Sequence, residues 1–385
     1  MHKRLRLGMI GGGQGAFIGA IHRIAAQLDG EYELVCGAFS SDPDKSRASG
    51  ALLGLSPDRV YGSYQDLYKQ ELQLPEEERV QVLSIVTPNH VHFEPAKLAL
   101  EHGFHVILDK PMTFSLEEAL KLREVVEKSG KLFCLTHTYT GYPMVKEARQ
   151  LVASGKLGKI RKVYVEYPQG WLSRFEEGSD NKQATWRTDP GQSGIAGSMG
   201  DIGTHAFNLA EYVSGLEVTQ LCADINTVVE GRRLDDDGAV LLRFDNGASG
   251  VLIATQVAAG EENNVRFRVY GEHGGVDWQH ADANTLQVKW LDRPAEIWRT
   301  GTGYVGSYAQ HNSRTPAGHP EGFLEAFANL YRNFALCVKA EMEGETPKVE
   351  WQDYPGIADG VRGMSFIENV IASGKSDTKW TEFKV

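Results

Sequence analysis

Cysteine is scarce in this chain. Its four residues, Cys36, Cys134, Cys222 and Cys337, lie far apart and form no C-x-x-C pair. The sequence therefore predicts neither a disulfide framework nor a zinc knuckle, and a reducing, cytoplasmic setting is the simplest expectation. No stretch approaches the run of about 18 apolar residues that a membrane-spanning helix requires. Basic charge is in deficit, 40 Lys and Arg against 51 Asp and Glu for a formal net charge of -11. That argues against a nucleic-acid partner, which calls for a basic face. His2, Lys3, Arg4 and Arg6 have the look of a signal-peptide n-region, but the apolar run behind them breaks at Gly11 and no small-residue cleavage site follows. Internal repeats and low-complexity segments are absent as well. What is left is 385 residues, 41% hydrophobic and 24% charged, the composition of an ordinary globular protein and the length of two domains.

The apolar run Leu5 to Ile10 leads into Gly-Gly-Gly-Gln-Gly-Ala and then into an amphipathic segment reaching Leu28, which reads as strand, glycine turn, helix. Gly11, Gly13 and Ala16 fit G-x-G-x-x-[G/A]: a tight turn, close approach of a pyrophosphate to the backbone, and a small residue where helix packs on strand. Phosphates then sit on the helix N-terminus, and Gly11, Gly13, Gln14, Gly15 and Ala16 become the expected cofactor loop. Further apolar runs at Tyr32 to Phe39, Val80 to Val86, His105 to Leu108 and Leu132 to Leu135 alternate with helical spacing at Asp44 to Leu53, Phe93 to His102 and Leu116 to Lys128. That grammar predicts a doubly wound parallel α/β sheet, a Rossmann domain over residues 1–138. Beyond it, a helix at Val145 to Ala153 is followed by strand-like runs at Ile160 to Tyr167, Val240 to Phe244, Gly250 to Thr255, Val265 to Tyr270 and Leu286 to Trp290. These predict an α+β domain over residues 139–385 with an open-faced, mostly antiparallel sheet, closed by helices at Gly322 to Lys339 and Tyr354 to Ala372. Ser173 to Met199 is too long for an idle connection and is expected to line the site.

Ligands of an open α/β sheet lie at the carboxyl ends of its strands. Thr87-Pro88-Asn89 and Asp109-Lys110-Pro111 stand at two such ends, and Lys110, between an acid and a proline, reads either as an ammonium aimed at a substrate oxygen or as a surface lysine. In Gly200-Asp201-Ile202-Gly203-Thr204-His205, Asp201 and His205 are four apart at a helix start. They read as a base with its supporting carboxylate, or as a helix cap beside a structural histidine. A metal site built on the pair lacks a marked third ligand. Trp171, Trp186 and Arg187 would give a substrate an apolar face and a hydrogen-bonding fork. His319 reads as a substrate contact or, more simply, as part of a capping turn. His90, His92, His102 and His105 read as ordinary residues of strand and helix ends.

The glycine loop, Thr87-Pro88-Asn89 with His92, Asp109-Lys110-Pro111, Ser154-Gly155-Lys156-Leu157-Gly158, and Trp186-Arg187 ahead of Gly200 to His205 together resemble the Gfo/Idh/MocA family, the glucose-fructose oxidoreductase and inositol dehydrogenase group, over nearly the whole chain. The resemblance implies NAD(P)-dependent oxidation of a sugar or polyol hydroxyl, with Lys110 orienting the hydroxyl, His205 as general base and Asp201 supporting it. It also implies assembly into a homodimer or homotetramer, matching the apolar sheet face expected from strands such as Ile160 to Tyr167. Two departures stand out. Asp109 replaces the family's usual glutamate before the lysine, and the stretch His137 to Pro143 is this chain's own, so that His137 and Tyr139 either meet substrate or pack. At the end of the second strand, where an NAD enzyme places an acid on the ribose, Ser40 stands with Ser41, Asp42 and Lys45 behind it, leaving NAD and NADP both open. A glycosidase using transient oxidation and a non-catalytic sugar sensor are the rival readings.

Overall fold

The computed structural model of the chain describes residues 4–178 and 182–385; His2 and Lys3, read above as part of a leader-like stretch, lie outside them. In chain order the first elements are β1 (Leu5–Gly11), α1 (Phe17–Leu28), β2 (Tyr32–Ala38), α2 (Pro43–Leu52), α3 (Tyr64–Glu71), β3 (Val82–Val86), α4 (Phe93–Glu101), β4 (His105–Leu108), α5 (Leu116–Ser129) and β5 (Phe133–Leu135). There follow α6 (Pro143–Ala153), β6 (Lys162–Pro168), α7 (Lys182–Arg187), α8 (Pro190–Ser193), α9 (Thr204–Ser214), β7 (Val218–Asn226), β8 (Asp237–Phe244), β9 (Ser249–Thr255), β10 (Arg266–Tyr270), β11 (Gly274–Gln279), β12 (Thr285–Trp290), β13 (Glu296–Arg299), α10 (Ser307–His311), α11 (Phe323–Glu343), α12 (Ile357–Gly374) and β14 (Thr381–Glu382).

Two compact units result: Met1–Gly141 with Phe323–Gly360, and Tyr142–Gly322 with Val361–Val385. The first is a five-stranded parallel sheet in the order β2-β1-β3-β4-β5. All of β3 and β4 is buried, as expected of strands covered on both faces. Strand order reverses beside β1, so the turn after it opens at the switch point where doubly wound sheets bind ligands. The boundary at residue 138 falls close to the end of this unit's first segment, but residues 323–360, expected in the second domain, belong here. The reason is apolar: Phe327, Leu330, Tyr331, Phe334 and Val338 of α11 share one core cluster with Leu5, Leu7, Tyr32, Val82 and Ile107. A helix's periodicity marks its buried face but does not name the sheet that buries it.

The second unit is a nine-stranded sheet, β13-β12-β11-β10-β6-β9-β8-β7-β14, antiparallel except between β6 and β9, which run parallel. The apolar face expected to lie open is largely covered. Val163, Val165, Leu252, Phe267 and Val269 are buried, and α9 packs on β6, β9 and β10 while α6 packs on β11 and β12. The opposite face is mostly ionic. Arg266 forks onto Asp277 at 3.0 and 2.9 Å, Lys289 reaches the same carboxylate at 2.7 Å, and Arg268 stands 3.6 Å from Glu166. Leu241, Ile253 and, on β13, Ile297 are large apolar residues exposed on it. No helix among the described residues is long and apolar enough to cross a membrane.

Candidate active site

The turn after β1 owes its shape to glycine. Gly11, Gly12 and Gly15 take φ of 82°, 70° and 79°, a region that residues with a Cβ avoid. A Cβ on Gly13 would come within 2.7 Å of the Phe39 carbonyl oxygen and 2.8 Å of Ser49 Oγ. Gly13 N–H donates to the Phe39 carbonyl at 3.2 Å and Gln14 N–H to Ser49 Oγ at 3.1 Å, pinning the turn to the chain just past β2 and to the second half of α2. Ala16 occupies the N-cap position of α1, where no side chain caps the helix and no acid stands in the first turn. Helix-end amides and dipole are thus left to an anion, and the loop fits a dinucleotide's pyrophosphate.

The fingerprint is misplaced in one respect. The close packing of helix on strand falls on Gly19, not Ala16: a Cβ on Gly19 would collide with Gly12 Cα and its carbonyl group. The loop is longer than the motif's spacing assumes, and Gly12 and Gly19 are the pair the sequence reading overlooked. Past β2, Asp42 caps α2, accepting from the amides of Asp44 and Lys45 at 2.9 and 3.2 Å, while its own amide donates to Ser40 Oγ at 3.1 Å. Lys45 Nζ lies 3.7 Å from the Asp42 carboxylate, and Ser41 is exposed.

At the ends of β3, β4 and β5 the first unit gathers Thr87, Pro88, Asn89, Asp109, Lys110 and His137. Asn89 and Tyr139 are buried and Lys110 is half-buried; the Lys110–Pro111 peptide is cis. Thr87 Oγ1 donates to the Val91 carbonyl at 3.2 Å. His92 is no ordinary helix-end residue, since its two ring nitrogens each lie 2.8 Å from a carbonyl, those of Pro111 and Thr87, and so tie two strand-end loops together. Burial lowers its pKa despite those contacts. His137 is pushed down to about 3 by burial first and the Lys110 ammonium second, so its imidazole is neutral and faces the lysine's field.

In the second unit a π-helical turn, Met199–Gly203, runs straight into α9 and carries Asp201, with His205 one turn on. Such turns are wider than α-helical ones, so four-residue spacing no longer stacks side chains directly. Asp201 Oδ2 accepts from Gln256 Nε2 at 3.0 Å and lies 3.5 Å from Arg187 Nε. The His205 ring is buried, its centroid 6.3 Å from that of Tyr167. Parallel pairing of β6 and β9 brings their carboxyl ends to the same edge, and there Gln169, Gln256, Asn263 and Tyr167 interlock. Gln256 Nε2 reaches Gln169 Oε1 at 3.4 Å, Gln169 Nε2 donates to Asn263 Oδ1 at 2.5 Å, Tyr167 OH donates to the same oxygen at 2.6 Å, and Trp171 Nε1 donates to Gln169 Oε1 at 3.0 Å. None of these carboxamides was marked in the sequence. Arg187 lies over the Trp186 ring, 4.3 Å from its centroid. Of Ser173 to Met199, residues 179–181 lie outside the described residues; Arg232 anchors the start of the stretch through the carbonyls of Arg174 and of Leu172 just before it, each at 2.9 Å, and Glu177 at 2.7 Å. His319 is exposed, its ring 3.3 Å from the Pro316 carbonyl of its own turn. No group of three or more metal-ligating side chains forms among the described residues.

A parallel α/β unit with an uncapped glycine turn at its switch point, in a chain whose other unit carries an acid, a histidine and a cluster of carboxamides, marks the class of dinucleotide-binding oxidoreductases. Residues 5–137 match the oxidoreductase family with NAD-binding Rossmann fold, and residues 145–277 match the GFO/IDH/MocA C-terminal domain. An uncharacterized oxidoreductase, YfiI, of Bacillus subtilis (strain 168) is 31% identical, with 99% of this chain and 98% of that protein covered. An oxidoreductase from Sinorhizobium meliloti has 44% identity and a TM-score of 0.89, covering 99% of this chain and 100% of its own. An inositol dehydrogenase homolog from Azotobacter vinelandii, solved with NADH and myo-inositol, has 33% identity and a TM-score of 0.91, covering 100% and 98%. The chain belongs to the GFO/IDH/MocA family of oxidoreductases, and its first unit is an NAD-binding Rossmann domain.

Proposed function

We propose that the protein is a dehydrogenase that oxidises a secondary hydroxyl of an inositol-type polyol or a sugar. The observation that carries this is the carboxamide cluster of Gln169, Gln256 and Asn263 next to Asp201. Carboxamides both donate and accept hydrogen bonds, which suits the mixed demands of adjacent hydroxyls on a neutral substrate. The relative solved with myo-inositol supports the same class.

In this reading the glycine turn and the first turn of α1 hold the pyrophosphate, and the chain around Ser40 and Asp42 meets the adenosine. Bound NAD+ supplies the hydride acceptor at the nicotinamide C4. Lys110 Nζ donates a hydrogen bond to the reacting hydroxyl oxygen, and a ring nitrogen of His205 takes its proton as the carbon's hydrogen leaves with its electron pair, so the alcohol becomes a ketone. Asp201 holds the charge that develops on the imidazole. Thr87, Pro88, Asn89 and Asp109 shape the floor at the strand ends, while His137, Tyr139, Trp171, Trp186 and Arg187 contact or fence the substrate. NAD is favoured over NADP because Lys45 is drawn to Asp42 and away from a phosphate-binding role.

The test is a panel of inositols and sugars offered with NAD+ and with NADP+, followed by near-ultraviolet absorbance. Reduction of NAD+ by at least one polyol is expected. Cleavage of a nitrophenyl glycoside without net NADH, or no reduction across the panel, would sink the reading. We further propose self-association through the uncovered sheet face, where Leu241 and Ile253 lie beside the ionic rows. Light scattering should give a multiple of 42.5 kDa, and a monomer at micromolar concentration would refute it.

A further inference from the structure

Beneath Lys110 lies a buried polar chain that the reaction as described does not use. His22 of α1 is wholly buried. Its Nδ1 is 2.7 Å from the Tyr331 hydroxyl of α11, which is in turn 2.8 Å from Ser84 Oγ of β3. Its Nε2 has no hydrogen-bond partner among the described residues and faces Asp109 Oδ1 across 3.9 Å. That same oxygen accepts the backbone N–H of Lys110 at 2.9 Å and the Thr136 hydroxyl at 2.9 Å.

We propose that His22 is a positioning residue for Lys110, acting through Asp109, with Tyr331 and Ser84 fixing which of its nitrogens carries the proton. The carboxylate's demand for a donor puts the proton on Nε2, so Nδ1 must accept. Tyr331 therefore donates to Nδ1, and Ser84 donates to Tyr331; every hydrogen in the chain then has one direction. A gap of 3.9 Å is too long for a hydrogen bond and too short for a bridging water, so the imidazole acts on Asp109 directly. Burial would raise the Asp109 carboxyl, but His22 and then the Lys110 ammonium hold it below the usual carboxylate range. The tether is anchored from behind, since Tyr32 donates its hydroxyl to the Tyr331 backbone carbonyl at 2.9 Å. A lysine aimed at a substrate oxygen needs its backbone fixed, and this chain fixes it from two helices and a strand.

The inference rests on the proposed role of Lys110, and the test separates the two. An asparagine amide occupies the place of a histidine's Nδ1 and a glutamine amide that of Nε2. His22→Gln thus keeps a donor toward Asp109, whereas His22→Asn keeps only the link to Tyr331. Kcat should fall about a hundredfold in His22→Asn, the scale of a small misplacement of a reacting group, and stay within about threefold of wild type in His22→Gln. NAD affinity, measured by fluorescence titration, should be unchanged in both. In the cofactor-free protein, acylation of Lys110 followed by mass spectrometry should speed up severalfold in His22→Asn but not in His22→Gln. Tyr331→Phe, which keeps the ring's packing, should share the His22→Asn behaviour and carries the test should that variant fold poorly. Equal kcat and equal Lys110 acylation in wild type, His22→Asn and Tyr331→Phe would overturn the proposal. Normal turnover by Lys110→Ala would instead overturn the role of the lysine itself.

Discussion

Gly19 decides how closely α1 lies on the strand it follows, because its missing Cβ is the space that Gly12 fills. Gly19→Ala should therefore cost about 1–3 kcal/mol, the range for overpacking a tight contact, and weaken NAD binding as the turn shifts. Ala16→Gly, at an uncapped N-cap position, should cause no loss and should raise stability by up to about 1 kcal/mol, since glycine is the better N-cap. Urea denaturation of the two variants separates the residue that packs from the residue that merely fits the motif. For the chemistry, Lys110→Ala and His205→Asn should each lower kcat by about a hundred- to ten-thousandfold while sparing NAD affinity, with Asp201→Asn in between. Steady-state kinetics beside a cofactor titration checks this, and near-normal turnover by His205→Asn would remove it as the base. Lys110, Asp201 and His205 could be marked as candidates in the sequence because titratable groups beside glycine and proline turns are conspicuous. Gln169, Gln256 and Asn263 were not, since carboxamides have no periodicity and gather only once β6 and β9 pair in parallel.

The element that presents Asp201 is the π-turn Met199–Gly203, and it is held by a side chain far along the sequence. Asp235 accepts from the amides of Gly197 at 2.6 Å and Met199 at 2.8 Å and from Ser198 Oγ at 3.0 Å; burial raises its pKa against those bonds. Asp235→Ala strands these donors in the interior and should cost about 2 kcal/mol or more. Kcat should drop along with stability, because the turn it caps carries the acid, and the histidine follows it. Denaturation and turnover measured on the same preparation check both, and a variant as stable and as active as wild type would show that the cap is dispensable. The strands of the first sheet were readable to within a residue or two, since buried parallel strands are continuous apolar runs. Among those missed, β7 and β11 carry polar or glycine residues through much of their length, and α3 has only Leu67, Tyr68 and Glu71 buried; none of the three offers a clean period.

On the scale of the whole molecule, acid should act first on the unit that binds the dinucleotide. Burial lowers His92, takes His105 down to about 4 and His137 down to about 3, and all three belong to that unit. Their imidazoles stay neutral in the fold but take up protons in the unfolded chain below about pH 6.5. Unfolding therefore binds protons, and stability is complete above about pH 6.5 and falls as the pH drops toward 4 and then 3, by up to about 1.4 kcal/mol per pH unit for each group. Urea midpoints should decline through that window, and His137→Gln, which cannot titrate, should flatten the decline; a flat profile in the wild type would contradict it. The same unit is finished by α11, whose Phe327, Tyr331 and Phe334 complete the core begun by Leu5, Leu7 and Tyr32. During synthesis on the ribosome, then, the nucleotide-binding half cannot close when its own strands have emerged. It must wait, with an apolar flank unsealed, until the intervening unit has been translated and the late helix arrives, and a fragment cut at Gly141 would be released with that flank bare.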